Sequence, residues 1–535
     1  MKGHTSLAAA LARHGVTTMF GVMGDGNMFF VDSFIRDFGG EYVAAANEAG
    51  AALMAAGYAT GSGGVGVATV THGPGLANCV ATLVSATRER RAMVLIAGDT
   101  AAEDRTNAQK IDQASLVAPT GAGYVTAASA RSAPADLERA LARAAVEQRP
   151  IVFNVPADFM FAEVADLLES RPALPRQAPA PDPAALDAAV GMIATARRPI
   201  VLAGTGVLLA EAEAAVRELA EVLGAPVATT LPARGLFGAY EHDLGVFGTL
   251  ATPRAVEAIL ASDCVIAVGT SLNPYTGGGD GWPYLEGKRV VHCDLDPKAL
   301  TAFTADAAIV ADAGAFAETV VTWLREAEHT ATGFRDSIDA GTEPGTGDGR
   351  PGFVDLAAAL GELNRRLPGA RTLTVDGGRF TDEVIRRFDV SRPRAWTCSF
   401  TGFGAIGNGL AVAIGMGCAD RGVPAVALVG DGSFMLGGLA EFSTAVRHGV
   451  DLIVVVCNDG CYGAEYRKLA GRGFEIEHSL FDWPDFAPVA ESLGGLGCTV
   501  RSLEDLAQAE KVVGERDRPV LIDLKLDPAA VHWAH

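Results

Sequence analysis

Two short stretches, Gly430-Asp431-Gly432-Ser433 and Cys457-Asn458-Asp459-Gly460, each follow a run of Val, Leu and Ile. Both patterns predict a buried strand that ends in a glycine turn. In a parallel sheet the two turns lie at the same carboxyl edge, where ligands bind. Oxygen atoms from Asp431, Asn458 and a nearby backbone carbonyl would suit a magnesium ion that also holds a diphosphate. Either turn alone could be an ordinary loop, since Gly and Asp are common turn residues, but the pair favours a site.

Strand-like runs alternate with helical segments along the whole chain, which predicts βαβ units and parallel sheets covered by helices. Residues 171–183 are rich in proline and residues 331–352 are rich in glycine, and both interrupt this alternation. The second stretch reads as a flexible linker. We therefore predict an α/β protein with three doubly wound parallel-sheet domains, at 1–170, 184–330 and 353–535. The predicted strands are 17–22, 65–71, 92–97, 151–155, 199–203, 264–268, 290–294, 372–375, 425–429, 452–456 and 519–524.

The composition excludes several classes of protein. Of 535 residues, 49% are hydrophobic and 20% charged, which is typical of a globular chain. The net charge of −21 argues against a nucleic-acid partner, whose phosphates are bound by basic patches. The eight cysteines include no CxxC pair, which predicts reduced, buried thiols in a cytoplasmic protein. No apolar run is long enough to predict a membrane span, and the first residues predict a helix and no signal peptide.

From Gly430 to Asn458 the chain resembles the thiamine diphosphate-dependent enzymes of the acetolactate synthase and pyruvate decarboxylase superfamily. Their cofactor signature begins with Gly-Asp-Gly and ends in Asn-Asn, and Cys457 stands here in place of the first asparagine. The resemblance implies that Asp431, the side chain of Asn458 and the carbonyl of Gly460 bind Mg²⁺. The residues that it assigns to the cofactor in this region are Gly430, Asp431, Gly432, Ser433, Asn458, Gly460 and Tyr462.

Glu48 begins a predicted helix among small and apolar residues. A buried carboxylate is costly without a partner or a task, although a glutamate at this position could simply satisfy amides of the first helical turn. The family has a glutamate followed by small residues at this place. The resemblance implies that Glu48 binds N1′ of the cofactor's aminopyrimidine and so promotes loss of the C2 proton. Because the family's glutamate reaches cofactor held by another subunit, it also implies a homodimer or homotetramer with active sites at the interface.

Three further residues of the first domain are candidate catalytic groups. His72 lies in a turn that matches the family's Ser-Gly-Pro-Gly-x-x-Asn segment, where it could act on substrate or be structural. Asp25 matches an active-site acid of the pyruvate decarboxylases, although Asp-Gly is also an ordinary turn pair. Gln109 matches a glutamine of the acetolactate synthases and lyases. The chain thus combines features of both groups.

In the last domain, Ile406 matches the bulky residue that supports the bent cofactor in the family, and the carbonyl of Gly404 would accept from its 4′-amino group. Without the resemblance, Ile406 would read as a core residue. The turn at Asp376, Gly377 and Gly378 follows a predicted strand and could offer backbone amides to the diphosphate.

The middle domain has a glycine turn, Gly204-Thr205-Gly206, after a predicted strand, which is a weak signal for a dinucleotide because the third glycine is absent. Acetolactate synthases bind FAD in this domain through an arginine that Thr270 to Pro274 does not supply. The sequence therefore argues against FAD without excluding it.

These patterns predict a thiamine diphosphate- and Mg²⁺-dependent enzyme that decarboxylates a small 2-oxo acid and transfers the acyl anion to a second carbonyl, as acetolactate synthase does. A simple 2-oxo acid decarboxylase or an acyloin lyase is the first alternative. A non-catalytic regulatory relative is the second, and it predicts loss of Glu48 or Asp431, both of which are present. The sequence leaves the donor acid, the acceptor and the choice between dimer and tetramer open.

Overall fold

The computed structural model describes residues 1–101, 103–164, 177–339 and 350–530. It contains three six-stranded sheets interspersed with helices. The first and third sheets belong to one compact unit and the middle sheet to a second. Positions 171–176 of the proline-rich stretch expected at 171–183 fall outside the described residues, as do positions 340–349 of the glycine-rich linker expected at 331–352.

The first sheet is parallel and has the order β2-β1-β3-β4-β6-β5. Its strands are β1 Thr18–Gly21, β2 Glu41–Ala44, β3 Gly66–Val70, β4 Met93–Asp99, β5 Gly123–Thr126 and β6 Ile151–Pro156. Its helices are α1 Gly3–Arg13, α2 Met28–Arg36, α3 Glu48–Ser62, α4 Pro74–Ala77, α5 Val80–Arg88, α6 Gln113–Val117 and α7 Ala133–Glu147.

The middle sheet is also parallel, with the order β12-β11-β10-β7-β8-β9, which is the strand order of dinucleotide-binding folds. Its strands are β7 Pro199–Ala203, β8 Val227–Thr229, β9 Asp243–Val246, β10 Cys264–Val268, β11 Arg289–Asp294 and β12 Ala307–Val310. Its helices are α8 Pro183–Ala194, α9 Thr205–Ala210, α10 Glu213–Leu223, α11 Pro253–Ala261 and α12 Ala313–Glu326.

The third sheet has the order β14-β13-β15-β16-β18-β17, which repeats the order of the first sheet. Its strands are β13 Thr372–Val375, β14 Trp396–Cys398, β15 Ala425–Gly430, β16 Leu452–Asn458, β17 Leu496–Val500 and β18 Val520–Lys525. Its helices are α13 Leu356–Arg366, α14 Thr381–Arg387, α15 Gly409–Ala419, α16 Asp431–Ser433, α17 Leu439–Arg447, α18 Gly463–Gly471, α19 Phe486–Ser492 and α20 Leu506–Gly514. The predicted fold class, three parallel-sheet α/β domains, is confirmed.

Helices α3 and α15 join the first and third domains backbone to backbone. A Cβ added to Gly57 would lie 2.2 Å from the carbonyl oxygen of Val412, and one added to Gly415 would lie 2.0 Å from that of Met54. Both helices are apolar on nearly every face, as expected for helices buried between two sheets. Glycine at these positions therefore allows the two helices to approach closely.

All eight cysteines are buried, as the sequence predicted. Within the described part of the chain, none of the helices combines the length and apolar character needed to cross a membrane.

Candidate active site

The four candidate catalytic residues of the first domain follow four neighbouring strands. Asp25 comes after β1, Glu48 after β2, His72 after β3 and Gln109 after β4. Because these strands are parallel and adjacent, the four loops lie at the same carboxyl edge of the sheet. The fold thus gathers residues that are as far apart in sequence as Asp25 and Gln109.

Glu48 is the first residue of α3, but another residue caps that helix. The side chain of Asn47 accepts the backbone N–H of Gly50 at 2.9 Å, so the first turn does not depend on Glu48. The Glu48 carboxylate is half-buried and accepts a hydrogen bond of 2.9 Å from Asn78 Nδ2. Asn78 ends the turn that contains His72, so two sequence motifs meet at this carboxylate.

The turn around Asp25 passes over His72. His72 is 5% exposed, and its Nδ1 is buried without a hydrogen-bond partner. A Cβ on Gly26 would lie 2.8 Å from this nitrogen, whereas the neighbouring Asp25 is exposed. A buried ring nitrogen without a partner is unusual in proteins and requires an explanation, such as a bound molecule.

Gln113 fixes the His72 turn, and the sequence did not reveal it. Its Oε1 accepts the N–H of Gly73 at 2.9 Å, while its Nε2 donates to the Gly98 carbonyl at 2.9 Å and to Asn154 Oδ1 at 2.5 Å. Gln109, the glutamine singled out from the sequence, is half-exposed. The backbone carbonyl oxygen of Gln109 would lie 2.2 Å from a Cβ added to Gly73, and the φ of +64° at Gly73 also favours glycine.

In the third domain, Asp431 and Asn458 lie at adjacent strand ends. Gly430, the last residue of β15, pairs with Cys457 of β16. The side chains that follow these two residues therefore share the carboxyl edge of the sheet, as expected from the sequence.

Asp431 carries an unsatisfied oxygen. It is 2% exposed, and its Oδ2 forms no hydrogen bond of good geometry, although the indole of Trp483 lies near enough to lower the pKa of Asp431. Burial and the nearby charge of Asp459 raise the pKa of Asp431 to about 7. Asp459 itself forms a buried ion pair of 2.5 Å with Arg379. A buried carboxylate oxygen without a partner is costly, and a hard cation would satisfy it.

Asn458 is held so that its oxygen faces the following loop. Its Nδ2 donates to Asp523 Oδ1 at 2.8 Å, and its Oδ1 accepts a long hydrogen bond of 3.3 Å from the N–H of Gly460. Gly460 has a φ of +63°, and its carbonyl accepts from Phe481 at 2.7 Å, which leaves one lone pair. Asp523 was not identified from the sequence, although a single carboxylate in the apolar strand β18 was a usable signal.

The donor atoms at this edge are all oxygens: one carboxylate, one side-chain amide and one main-chain carbonyl. Among the described residues, no three His, Cys, Asp or Glu side chains cluster so that they could hold a metal ion by themselves. These three oxygen donors, which include the unsatisfied Asp431 oxygen, instead fit a hard divalent cation whose remaining ligands come from water or a bound molecule.

Asp376 ties the Gly377 turn to the segment that carries Ile406. The carboxylate is fully buried and accepts N–H groups from Gly377, Gly407 and Gly409 at 2.8 to 3.0 Å. Ile406 is half-buried against the same turn, and a Cβ on Gly377 would lie 3.2 Å from its Cγ2. The Gly377 amide has an acceptor within the protein, and the predicted contact of this turn with a diphosphate stays a prediction.

Four other predicted cofactor residues are placed as follows. The ring of Tyr462 packs on Gly432, where a Cβ would lie 2.5 Å from the ring, and Ser433 is buried. Gly404 is exposed with a φ of +73°, so its segment can present a backbone carbonyl to solvent.

The two cysteines beside the metal-binding candidates are poor candidates for thiolate chemistry. Burial raises the pKa of the Cys457 and Cys461 thiols, and the charge of Asp459 adds to the effect. Both thiols therefore stay protonated at neutral pH.

In the middle unit, the glycine turn at Gly204 serves close packing of two strand ends. A Cβ on Gly204 would lie 2.2 Å from the carbonyl of Gly269, and the N–H of Gly206 donates to that carbonyl at 2.8 Å. His292 Nε2 donates to the Thr270 carbonyl at 2.6 Å. These contacts explain the glycines without a bound dinucleotide.

The chain matches three families that together cover most of its length. They are the thiamine pyrophosphate enzyme N-terminal TPP binding domain over residues 1–116, the central domain over 186–320 and the C-terminal TPP binding domain over 376–524.

Known proteins similar in sequence include a sulfoacetaldehyde acetyltransferase of Alcaligenes xylosoxydans xylosoxydans, which is 29% identical over 93% of this chain and 87% of the relative. An acetolactate synthase of Mycobacterium bovis is 29% identical over 100% of this chain and 89% of the relative.

Among solved structures, the benzoylformate decarboxylase of Polynucleobacter necessarius superposes with a TM-score of 0.86 at 18% identity, covering 99% of both chains. A 4-hydroxybenzoylformate decarboxylase of Rhodococcus jostii gives 0.80 at 22% identity, over 98% of this chain and 99% of the other. At these identities the likeness concerns the fold.

Proposed function

Because the chain belongs to the thiamine pyrophosphate enzymes, matched in all three of their domains, we propose that it decarboxylates a 2-oxo acid with thiamine diphosphate and Mg²⁺ and transfers the acyl group to a second carbonyl. The observation that carries the proposal is the buried, unsatisfied Asp431 oxygen beside the oriented Asn458 amide. The relatives named for acyl transfer and acetolactate synthesis support the transfer step.

Asp431, Asn458 and the Gly460 carbonyl would hold the metal ion, which neutralises the diphosphate. The Asp523 contact supports this role for Asn458, because it fixes which amide atom faces the loop. Gly430, Gly432 and Ser433 would line the diphosphate, where small residues permit close approach.

Glu48 would exchange a proton with the cofactor's aminopyrimidine. Since Asn47 caps α3, the Glu48 carboxylate is available for this task, and Asn78 orients it. Bound thiamine diphosphate supplies the carbon nucleophile and the electron sink for decarboxylation. Ile406 would support the cofactor from its place against Gly377, and the Gly404 carbonyl would accept from its amino group.

The substrate would enter at the carboxyl edge of the first sheet, where Asp25, His72 and Gln109 lie. Gln109 supports the carboligase or a lyase, whereas Asp25 supports a simple decarboxylase or an acyloin lyase. The retention of both Glu48 and Asp431 counts against a non-catalytic regulatory relative. We infer a homodimer or homotetramer in which Glu48 of one subunit serves cofactor held by the C-terminal domain of another.

The reaction is tested by incubating purified protein with thiamine diphosphate, Mg²⁺ and a panel of 2-oxo acids. Carbon dioxide together with an acyloin or acetolactate product is expected. Aldehyde without carboligation product would favour the decarboxylase, and no turnover of any donor would contradict the proposal.

The role of Glu48 is tested separately, without substrate. Glu48→Gln is expected to slow exchange of the C2 proton of bound cofactor about hundredfold or more, because the proton-transfer group is lost. Glu286→Gln, at an exposed position in the middle unit, is the matched control. Unchanged exchange in Glu48→Gln would show that the assigned role is wrong.

A further inference from the structure

One face of α17 binds the backbone directly in front of Glu48. Glu441 accepts the N–H of Ala46 through Oε2 and the N–H of Asn47 through Oε1, both at 3.1 Å. These bonds connect a helix of the third domain to the last residues before α3 of the first domain, within the same compact unit. The segment has no strand partner at this point, so Glu441 supplies the acceptors that its amides need.

Arg447, the last residue of α17, and His448, which directly follows it, provide two more backbone contacts. His448 Nε2 accepts the N–H of Ala44 at 3.0 Å, and Arg447 donates to the Ala44 carbonyl at 2.8 Å. Glu441 and His448 are seven residues apart, about two helical turns, and therefore face the same side, whereas Arg447 reaches Ala44 from an adjoining side. Four hydrogen bonds from α17 and the residue that follows it thus bind the four consecutive peptide units between Val43 and Asn47.

The binding groups are themselves oriented. Thr444 donates to Glu441 Oε2 at 2.8 Å and receives a hydrogen bond from Arg447 at 2.9 Å. Glu441 is 1% exposed, and burial raises its pKa, whereas the backbone amides and Arg447 lower it. Burial and the Arg447 charge lower the pKa of His448, so its ring is neutral and can accept from Ala44.

Glycine at position 50 fits this arrangement. A Cβ there would lie 2.0 Å from Glu441 Oε1, so any larger residue would displace the carboxylate from the amides. Gly50 is therefore required by the side chain of Glu441, almost four hundred positions further along the chain, whether or not the cofactor also requires a small residue there.

We propose that Glu441 and His448 are positioning residues for Glu48, and that α17 fixes where the proton-transferring carboxylate stands. The proposal rests on the proposed role of Glu48. Helix α16, which begins at Asp431, continues through a π-helical turn at Phe434–Gly438 into α17, so the same stretch of chain carries the metal-binding candidate and supports Glu48.

The substitutions are chosen to remove acceptors with little change in shape. Glu441→Gln replaces one of the two acceptor oxygens by an NH₂ group that faces a backbone N–H. His448→Phe removes the acceptor and keeps a ring, whereas His448→Gln retains an acceptor. Ser443→Ala is the control on the same helix, because the Ser443 hydroxyl donates only to the Ala440 carbonyl.

The first readout needs neither cofactor nor substrate. Hydrogen exchange in a peptide covering residues 44–50 is expected to accelerate about tenfold in Glu441→Gln and His448→Phe, as the loss of a hydrogen bond to a charged or buried acceptor predicts. Ser443→Ala and His448→Gln should exchange as the natural protein does. Equal exchange in all four variants would overturn the proposal.

The second readout is C2 proton exchange of bound cofactor, followed by kcat and KM with an active donor. In Glu441→Gln and His448→Phe, the rate of C2 exchange and kcat should both fall about tenfold, while KM stays within about twofold of its natural value. In His448→Gln, the rate of C2 exchange and kcat should equal those of the natural protein. Loss confined to thermal stability, with normal C2 exchange, would assign α17 a structural role only and overturn the proposal. Because neither exchange measurement uses a 2-oxo acid, failure to find a substrate would contradict the proposed reaction and leave the role of α17 independently testable.

Discussion

The crossing of α3 and α15 gives a sharp prediction, because an added methyl group would meet backbone and not a flexible side chain. Gly57→Ala places Cβ 2.2 Å from the Val412 carbonyl oxygen, whereas an ordinary C···O contact is about 3.4 Å. The helices must separate by about 1 Å. We expect the cost to lie near the upper end of the overpacking range, about 3 kcal/mol.

Part of this cost is offset, since alanine is more favourable than glycine inside a helix by about 1 kcal/mol. The net expectation is a loss of about 2 kcal/mol in the free energy of unfolding. Gly361→Ala is the matched control: Gly361 lies inside α13 of the same compact unit, and a Cβ there meets no atom within 4 Å. That variant should gain up to about 1 kcal/mol.

Urea unfolding of the cofactor-free protein, followed by circular dichroism, compares the two variants. Gly57→Ala should unfold at lower urea and Gly361→Ala at equal or higher urea than the natural protein. Hydrogen exchange should also accelerate in α3 and α15 of Gly57→Ala. If the two variants unfold at the same urea concentration, the helices do not pack backbone to backbone and the reasoning is refuted.

Three further predictions concern the site and the middle unit. Asp431→Ala should weaken Mg²⁺-dependent binding of thiamine diphosphate in calorimetry by about tenfold or more, with exposed Asp482→Ala as control; unchanged affinity would exclude Asp431 as a ligand. Ile406→Ala should reduce kcat about tenfold while the half-buried site keeps its thermal stability nearly unchanged, and the opposite result would make Ile406 a core residue. Burial raises the pKa of Asp243 to about 6 from 3.8, so its contribution favours folding below pH 4 and is lost as the pH rises to 6. Asp243→Asn keeps an acceptor for Gly245 but does not titrate. Between pH 4 and 6 the free energy of unfolding of this variant should therefore rise relative to that of the natural protein, by at most about 3 kcal/mol, and its melting temperature should rise with it. A difference in melting temperature that stays the same across this pH range would contradict the prediction.

The central strands were predictable and the edge strands were not. Every predicted strand is present with ends within two residues. The strands missing from the prediction are the two edge strands of each sheet, together with β8. Edge strands are covered on one side only and are short, so they lack the continuous apolar run that identifies a strand buried on both faces.

The candidate site divides in a similar way. Asp431 and Asn458 could be found because each directly follows a strongly apolar strand. The sequence did not identify Asp523, Gln113 and Glu441, because each forms its hydrogen bond with a group that is distant in sequence. The residues beside each of them in the chain do not indicate which group that is.

The sequence by itself determined the three parallel α/β domains, the family, and the turns that carry Glu48 and Asp431, because strand runs and glycine turns are local patterns. Only the tertiary structure decided which atoms those turns present. In the folded protein Asn47 caps α3, so the Glu48 carboxylate is free to accept a hydrogen bond from Asn78. The Asn458 nitrogen donates to Asp523, which orients the Asn458 oxygen toward the following loop. Hydrogen bonds between distant segments fix such orientations, and they exist only once the sheets and helices have packed.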